Sequence, residues 1–373
     1  MKYFFVVGEA SADLHASNMM KALKAQDSSA EFMYVGGSMM REVGGTCVMK
    51  SEELAFMGFI EVLKHMGDIR RGAHRVQHSL RAFSPDVVIC IDYAGFNFRY
   101  VLPFIKTQLP SAKCVYYIPP KVWAWKKGRV KTLQTHTDLV LCIFPFEKSF
   151  LEKNGLSQVK YVGNPSLDAI REFDYNSIEQ PLLSKPYIAL VPGSRISEIR
   201  SNLPAMLEAA SHFPDYEVVV TAAPGIDPRV YENIKGIHRA TVHHGETYRL
   251  IKHAAVALVT SGTATLETAL IGTPQVVCYA VKGGGLANFV FRNFFAIPYI
   301  SLVNIVAEKE VVKELYGGKF RVGNIVSELR SLLQDKHRMS KMLKEYREIK
   351  DRLETPQRAS EHAANEVIKL MSP

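Results

Sequence analysis

Short, nearly continuous apolar runs alternate with stretches of helical periodicity along most of the chain. In the first half the runs are YFFVVGE from Tyr3, EFMYVGG from Glu31, DVVICIDY from Asp86, KCVYYIPP from Lys113, DLVLCIF from Asp138 and VKYVG from Val159. In the second half they are YIALV from Tyr187, YEVVVTAA from Tyr216, ATVHHG from Ala240, VALVT from Val256 and PQVVCYA from Pro274. Runs this short, rich in β-branched residues, are the size of buried strands. Their alternation with helices predicts two mostly parallel sheets covered on both faces. The polar segment Asn164–Pro186 has little periodicity and reads as the linker between the halves. From Lys336 the chain is charged and helical with no further strand, so this tail is expected to pack back on the domains.

In such sheets ligands bind at the carboxyl ends of strands, so the residues just after each run matter most. VALVT leads into Ser261, Gly262, Thr263, Ala264, Thr265, Leu266 and Glu267, small and hydroxyl residues that open a helix. YIALV leads into Pro192, Gly193, Ser194 and Arg195, again ahead of a helical pattern, ISEIRSNLPAMLEAA. A strand feeding a helix N-terminus presents free N–H groups and a positive dipole end, which suits a phosphate. Either loop by itself is also a commonplace strand–helix connection; the pair together favours a nucleotide diphosphate.

Three strand ends of the first half are candidates of another kind. Gly8, Glu9, Ala10, Ser11, Ala12 and Asp13 precede a helix, where Ser11 or Asp13 is expected to cap it. Asp92 closes the apolar run VVICI and is followed by Tyr93, Ala94, Gly95, Phe96 and Asn97. A carboxylate at the end of a buried strand has few structural excuses, and general base is its functional reading. The loop IPPKVWAWKKGR from Ile118 holds Lys121 and both tryptophans, Trp123 and Trp125. It is either a rigid substrate loop or a packed connection.

Composition narrows the class. A length of 373 residues suits two domains, and 47% hydrophobic with 22% charged residues describes a globular chain. There is no apolar run of about 18 residues to cross a membrane and no signal-peptide core. Five scattered cysteines without metal-ligand spacing are expected to be buried thiols, which implies the cytoplasm. A net charge of +9 suits an anionic partner. The charge is spread and no recognition motif appears, so a nucleic-acid partner is not expected. No Asp-x-Asp triplet occurs, and His243 and His244, the one histidine pair, are expected to end a strand.

The ordered set GEASAD, CIDYAGFNF, PPKVWAW, DLVLCIFPFEK, VGNPSLD, LVPGSR, SGTATLE and YISLVNIVA closely resembles lipid A disaccharide synthase, from about residue 4 to 315. The resemblance implies an α/β fold of the GT-B type: two Rossmann-like doubly wound domains facing a cleft, with C-terminal helices packing back. The expected divisions are 1–175 for the acceptor- and membrane-facing domain, 176–345 for the UDP-sugar domain and 346–373 for the helical tail. It implies transfer of a 2,3-diacylglucosaminyl group from its UDP derivative to 2,3-diacylglucosamine 1-phosphate. The bond formed is β-1,6, and neither cofactor nor metal takes part.

By position, Asp92 matches the family's essential aspartate and Arg195 the arginine of its LPGSR motif. The resemblance makes Asp92 the base and Arg195 the holder of the leaving diphosphate, with Gly193, Ser194 and the N–H groups of Ser261, Gly262, Thr263 and Ala264 beside it. Glu267 is expected to accept ribose hydroxyls, and Asn304 to lie near the donor. Glu9 and Ser11 match the first glycine-rich turn, and Asn97 and Trp123 complete the substrate-binding set. Three positions depart from the family: Ala12 replaces a glycine, Gly95 stands where a second aspartate is usual, and Lys121 replaces a serine.

Lipid substrates imply a peripheral enzyme on the anionic cytoplasmic face of the inner membrane. Phe56, Met57, Phe59, Ile60, Leu63 and Met66, with Lys64, Arg70 and Arg71 nearby, form a candidate interfacial helix; a helix packed on its own sheet has the same pattern. The aromatic stretch LANFVFRNFFAIPYISL from Leu286 is a second candidate for membrane, acyl-chain or core contact. A rival function on the same nucleotide sites is a UDP-sugar enzyme such as a UDP-N-acetylglucosamine 2-epimerase. Oligomeric state is not legible.

Overall fold

The computed structural model describes all residues except Glu9, 54–64, 124–127, 174–179, 282–298 and Pro373. Two compact units result, one of Met1–Pro165 with Thr355–Pro373, the other of Ser166–Glu354.

The first unit holds a seven-stranded sheet: β1 (Lys2–Val7), β2 (Glu31–Gly36), β3 (Thr46–Lys50), β4 (Val87–Ile91), β5 (Lys113–Tyr117), β6 (Leu139–Cys142) and β7 (Val159–Tyr161), in spatial order 3-2-1-4-5-6-7. The pairings are all parallel. Every residue of β4 is buried, the pattern of a strand covered on both faces. Order reverses between β1 and β4, with Val7 beside Ile91, so the turns after these two strands share one crevice. The helix Ala359–Met371 completes this unit, its Ala363, Ala364 and Val367 packing into the core with β1 and the first helix, Ala10–Gln26.

The second unit holds a six-stranded parallel sheet: β8 (Tyr187–Val191), β9 (Glu217–Ala222), β10 (Thr241–His244), β11 (Val256–Thr260), β12 (Gln275–Tyr279) and β13 (Lys313–Tyr316), in order 10-9-8-11-12-13. Its reversal falls between β8 and β11, the two strands that feed the anion-ready loops. His243 and His244 close β10 as expected. All five cysteines are free thiols and four are fully buried.

Two strands escape the pattern of apolar runs. β3 is a short edge strand with exposed ends, and β13 carries Lys313 and Glu314 in only four residues. The segment expected as a linker contains an amphipathic helix, Pro165–Glu172, whose Leu167 and Ile170 are buried. Its two apolar positions were too few to register as periodicity.

Candidate active site

Asp92 stands immediately beyond β4, where the backbone is forced into an unusual shape. Asp92 and Tyr93 both have positive φ, 48° and 47°, a left-handed conformation that L-residues adopt at a cost of about 1 kcal/mol or more each. Side chains hold the turn. The Tyr116 hydroxyl (2.5 Å) and Asn97 Nδ2 (2.9 Å) both donate to the Asp92 carbonyl oxygen. The Tyr93 ring stacks on Phe96 at 5.3 Å and lies across Gly8. A Cβ on Gly8 would sit 2.1 Å from the Tyr93 ring, so the first turn needs glycine there. Asn97 itself is fully buried at the start of a π-type turn, Asn97–Val101, a feature common at functional sites.

The result is a half-buried carboxylate at a turn held by two side-chain hydrogen bonds. Burial raises the Asp92 pKa, while a hydrogen bond from the Tyr93 backbone and the Lys121 charge partly offset it. The raised pKa makes it more basic than an exposed aspartate, which suits a general base.

Trp123 is buried rather than presented to a ligand. Its indole N–H donates to Glu147 Oε1 at 3.1 Å, and its ring meets Phe146 edge-on at 5.1 Å. Glu147, in the first turn of the helix Pro145–Lys153, is 3% exposed, and burial pushes its pKa up to about 7. The indole N–H and the Lys121 charge pull in the opposite direction. Lys121 therefore acts electrostatically on both carboxylates of this sheet end. Trp123, expected as a substrate contact, has its polar atom committed inside the protein. Burial also drives His15, on the first helix, down to about 4, so it is neutral at pH 7.

In the second unit the two expected loops lie side by side beyond β8 and β11. Gly193 has φ 108°, and a Cβ there would meet Glu198 Oε2 at 2.7 Å. Arg195 is the N-cap of the helix Ile196–Ala210, and its exposed guanidinium pairs with Glu198 at 3.0 Å through Nη1. Gly262 is the N-cap of the helix Thr263–Ile271. Neither helix has a side-chain cap, so first-turn N–H groups of both remain for a ligand. The Ser261 hydroxyl turns away and donates to the Ile300 carbonyl oxygen at 2.8 Å. Beneath the loops, buried Asn202 accepts from the Ala280 N–H (2.7 Å) and donates to Thr260 (3.1 Å), fixing the ends of β11 and β12 together. Glu267 is half-buried one turn into its helix; burial raises its pKa, and Ser166 contacts it at 3.5 Å.

A family profile described as lipid-A-disaccharide synthetase matches residues 3–368. The chain belongs to that family. A lipid-A-disaccharide synthase of Myxococcus xanthus is 34% identical to it over 379 residues, covering 99% of this chain and 97% of the relative. The fold is shared more widely. A UDP-GlcNAc 2-epimerase of Neisseria meningitidis bound to UDP-GlcNAc superposes with a TM-score of 0.64 at 12% identity, covering 100% of this chain and 99% of that one. The glycotransferase of kitacinnamycin superposes with a TM-score of 0.66 at 11% identity, covering 100% and 99%. This member of the lipid-A-disaccharide synthetase family is thus a glycosyltransferase of lipid A biosynthesis with the GT-B fold.

Within this family member the expected residues sort into two groups. Asp92 and Asn97 meet at one reversal point; Gly193, Ser194, Arg195, Ser261, Gly262, Thr263 and Ala264 meet at the other. Asn304, expected near the donor, is fully buried and saturated. Its Oδ1 accepts from the N–H groups of Val311 (2.7 Å) and Val312 (2.9 Å). Its Nδ2 donates to the Val312 carbonyl and to Glu314 Oε1, both at 2.9 Å. An amide has two donors and two acceptor sites, so nothing is left for a ligand. Asp13, expected to cap its own helix, caps another: its carboxylate accepts from the N–H groups of Gly37 (2.7 Å) and Met39 (3.0 Å) at the start of the helix Ser38–Val43. Glu9, the Ser11 side chain, Phe56, Met57, Phe59, Ile60, Leu63, Trp125 and most of the stretch from Leu286 lie outside the described residues. Met66 begins the helix Met66–Phe83 and is half-buried. Reading the sequence missed Tyr116, Glu147, Asn202 and Glu314, whose roles depend on contacts between distant segments. Among the described residues no group of His, Cys, Asp or Glu is arranged to hold a metal.

Proposed function

We propose that this enzyme transfers the 2,3-diacylglucosaminyl group of UDP-2,3-diacylglucosamine to the 6-hydroxyl of 2,3-diacylglucosamine 1-phosphate. The observation that carries the reading is the strained, half-buried Asp92 at the β1/β4 reversal. Asp92 takes the proton of the acceptor hydroxyl as that oxygen attacks the anomeric carbon. The bond from that carbon to the UDP oxygen breaks in the same displacement, so configuration inverts and the product linkage is β-1,6. Arg195 leaves Glu198 for the diphosphate, and the N–H groups of Thr263 and Ala264 share the charge that develops on UDP. Glu267 receives the ribose hydroxyls. Asp92 then releases its proton to water.

Among the described residues no helix is long and apolar enough to cross a membrane. The acyl chains of the substrates and the charge of +9 support docking on an anionic membrane face. Liposome flotation at low salt tests the docking, and failure to float with anionic vesicles removes it.

The reaction is tested by mass spectrometry of wild type and Asp92→Ala incubated with both lipid substrates. Disaccharide from the wild type alone supports the reaction and the base. Equal product from both strips Asp92 of its role. No disaccharide from the wild type across several acyl lengths overturns the reaction.

A further inference from the structure

Glu314 is 7% exposed on the edge strand β13, and no part of the reaction above uses it. A buried carboxylate is costly unless its oxygens are well supplied with donors. Four donors converge on this one. Oε2 accepts from the Ile300 N–H (3.0 Å). Oε1 accepts from the Ser301 N–H (2.8 Å), the Ser301 hydroxyl (2.7 Å) and Asn304 Nδ2 (2.9 Å). Ser301 in turn is the N-cap of the helix Leu302–Ala307 and accepts from the Asn304 N–H at 3.3 Å. That helix packs on the helix Thr263–Ile271, and the Ile300 carbonyl oxygen receives the Ser261 hydroxyl. Glu314 thus holds the N–H groups on both sides of Ile300, and the carbonyl of the Ile300–Ser301 peptide anchors the loop before Gly262.

We propose that Glu314 is a positioning residue for the donor: with Ser301 and Asn304 it clamps the Ile300 backbone, and through Ser261 it sets the N–H groups of residues 261–264 in the geometry that holds a diphosphate. Asn304 belongs to the clamp, which explains how a residue with no free hydrogen-bonding capacity serves the donor site. The inference rests on the reading of that loop as a diphosphate holder.

The test uses the full chain with Glu314→Gln, Ser261→Ala and the double variant. The amide oxygen of glutamine can replace one carboxylate oxygen, but its NH2 group faces an N–H donor. Two readouts are needed: UDP affinity by calorimetry, and hydrogen exchange of the amides of residues 259–266. Glu314→Gln is expected to speed exchange in that loop, while the helix Val322–Gln334 keeps its protection, and to weaken UDP binding about tenfold. The acceptor KM stays unchanged. Ser261→Ala reproduces part of the loss, and the double variant loses no more than Glu314→Gln, because both cut one path. Wild-type loop exchange and UDP affinity in Glu314→Gln, or fully additive losses, overturn the proposal. If Glu314→Gln does not fold, unchanged loop exchange in Ser261→Ala overturns it instead. A wild type that binds no UDP, with exchange altered as expected, refutes the diphosphate reading and leaves the clamp standing.

Discussion

The two reversal points share one topology but present opposite chemical groups. Beyond β4 the chain turns through two residues with positive φ and delivers a carboxylate whose basicity burial has raised. Beyond β8 and β11 it passes directly into helices whose first N–H groups have no side-chain cap, with an exposed arginine alongside. In the proposed reaction one strand end removes a proton and the other accommodates a departing anion. The difference arises just past the strand: a tight turn held by Tyr116 and Asn97 in one unit, glycine leading into a helix axis in the other.

The sharpest test of this division is Asp92→Asn, which keeps the shape and removes the base. It is expected to lower kcat about a thousandfold while UDP affinity, read by calorimetry, stays at the wild-type value. Loss of UDP binding in that variant would break the division. Arg195→Ala is the converse, expected to lower kcat/KM about a hundredfold and to weaken UDP binding, with the acid limb of the pH profile unmoved. Gly8→Ala attacks the turn itself. With its Cβ 2.1 Å from the Tyr93 ring, it is expected to cost about 1–3 kcal/mol in denaturant unfolding and to slow turnover. The smallest effect belongs to Lys121→Ala. Asp92 must be ionised to act, so activity falls as pH drops through its raised pKa, and the Lys121 charge holds that pKa down. Removing the charge moves the acid limb of kcat/KM to higher pH, with the rate at pH 8 within about twofold of wild type.

Existence of the strands was legible because eleven of them are apolar runs, and the ligand loops were legible because they come directly after such runs. Strand order was not. That both candidate loop pairs straddle a reversal is a fact of pairing, fixed by contacts such as Val7 beside Ile91 and Val256 beside Ile188. β13 was missed for an instructive reason: it is polar because one of its four positions carries the clamp carboxylate. The partners of Asp13 and Asn304 were illegible for a related reason. Each has a residue type suited to ligands, yet Asp13 holds the backbone of Gly37 and Met39, and Asn304 holds Val311, Val312 and the Glu314 carboxylate, none of which a local pattern reveals. The Gly95 departure has a plain structural aspect: nothing lies within 4 Å of the position its Cβ would take, so an aspartate would fit there.

The helix Ala359–Met371 has a consequence for how the protein is made. Its Ala363, Ala364 and Val367 are fully buried in a core shared with the first helix and β5. On the ribosome the second unit has all its residues before this helix emerges, whereas the first keeps apolar surface uncovered until residues 359–371 have been made. Though its strands are made before those of the second unit, it is completed later, and loss or crowding of this helix strikes the unit that carries Asp92.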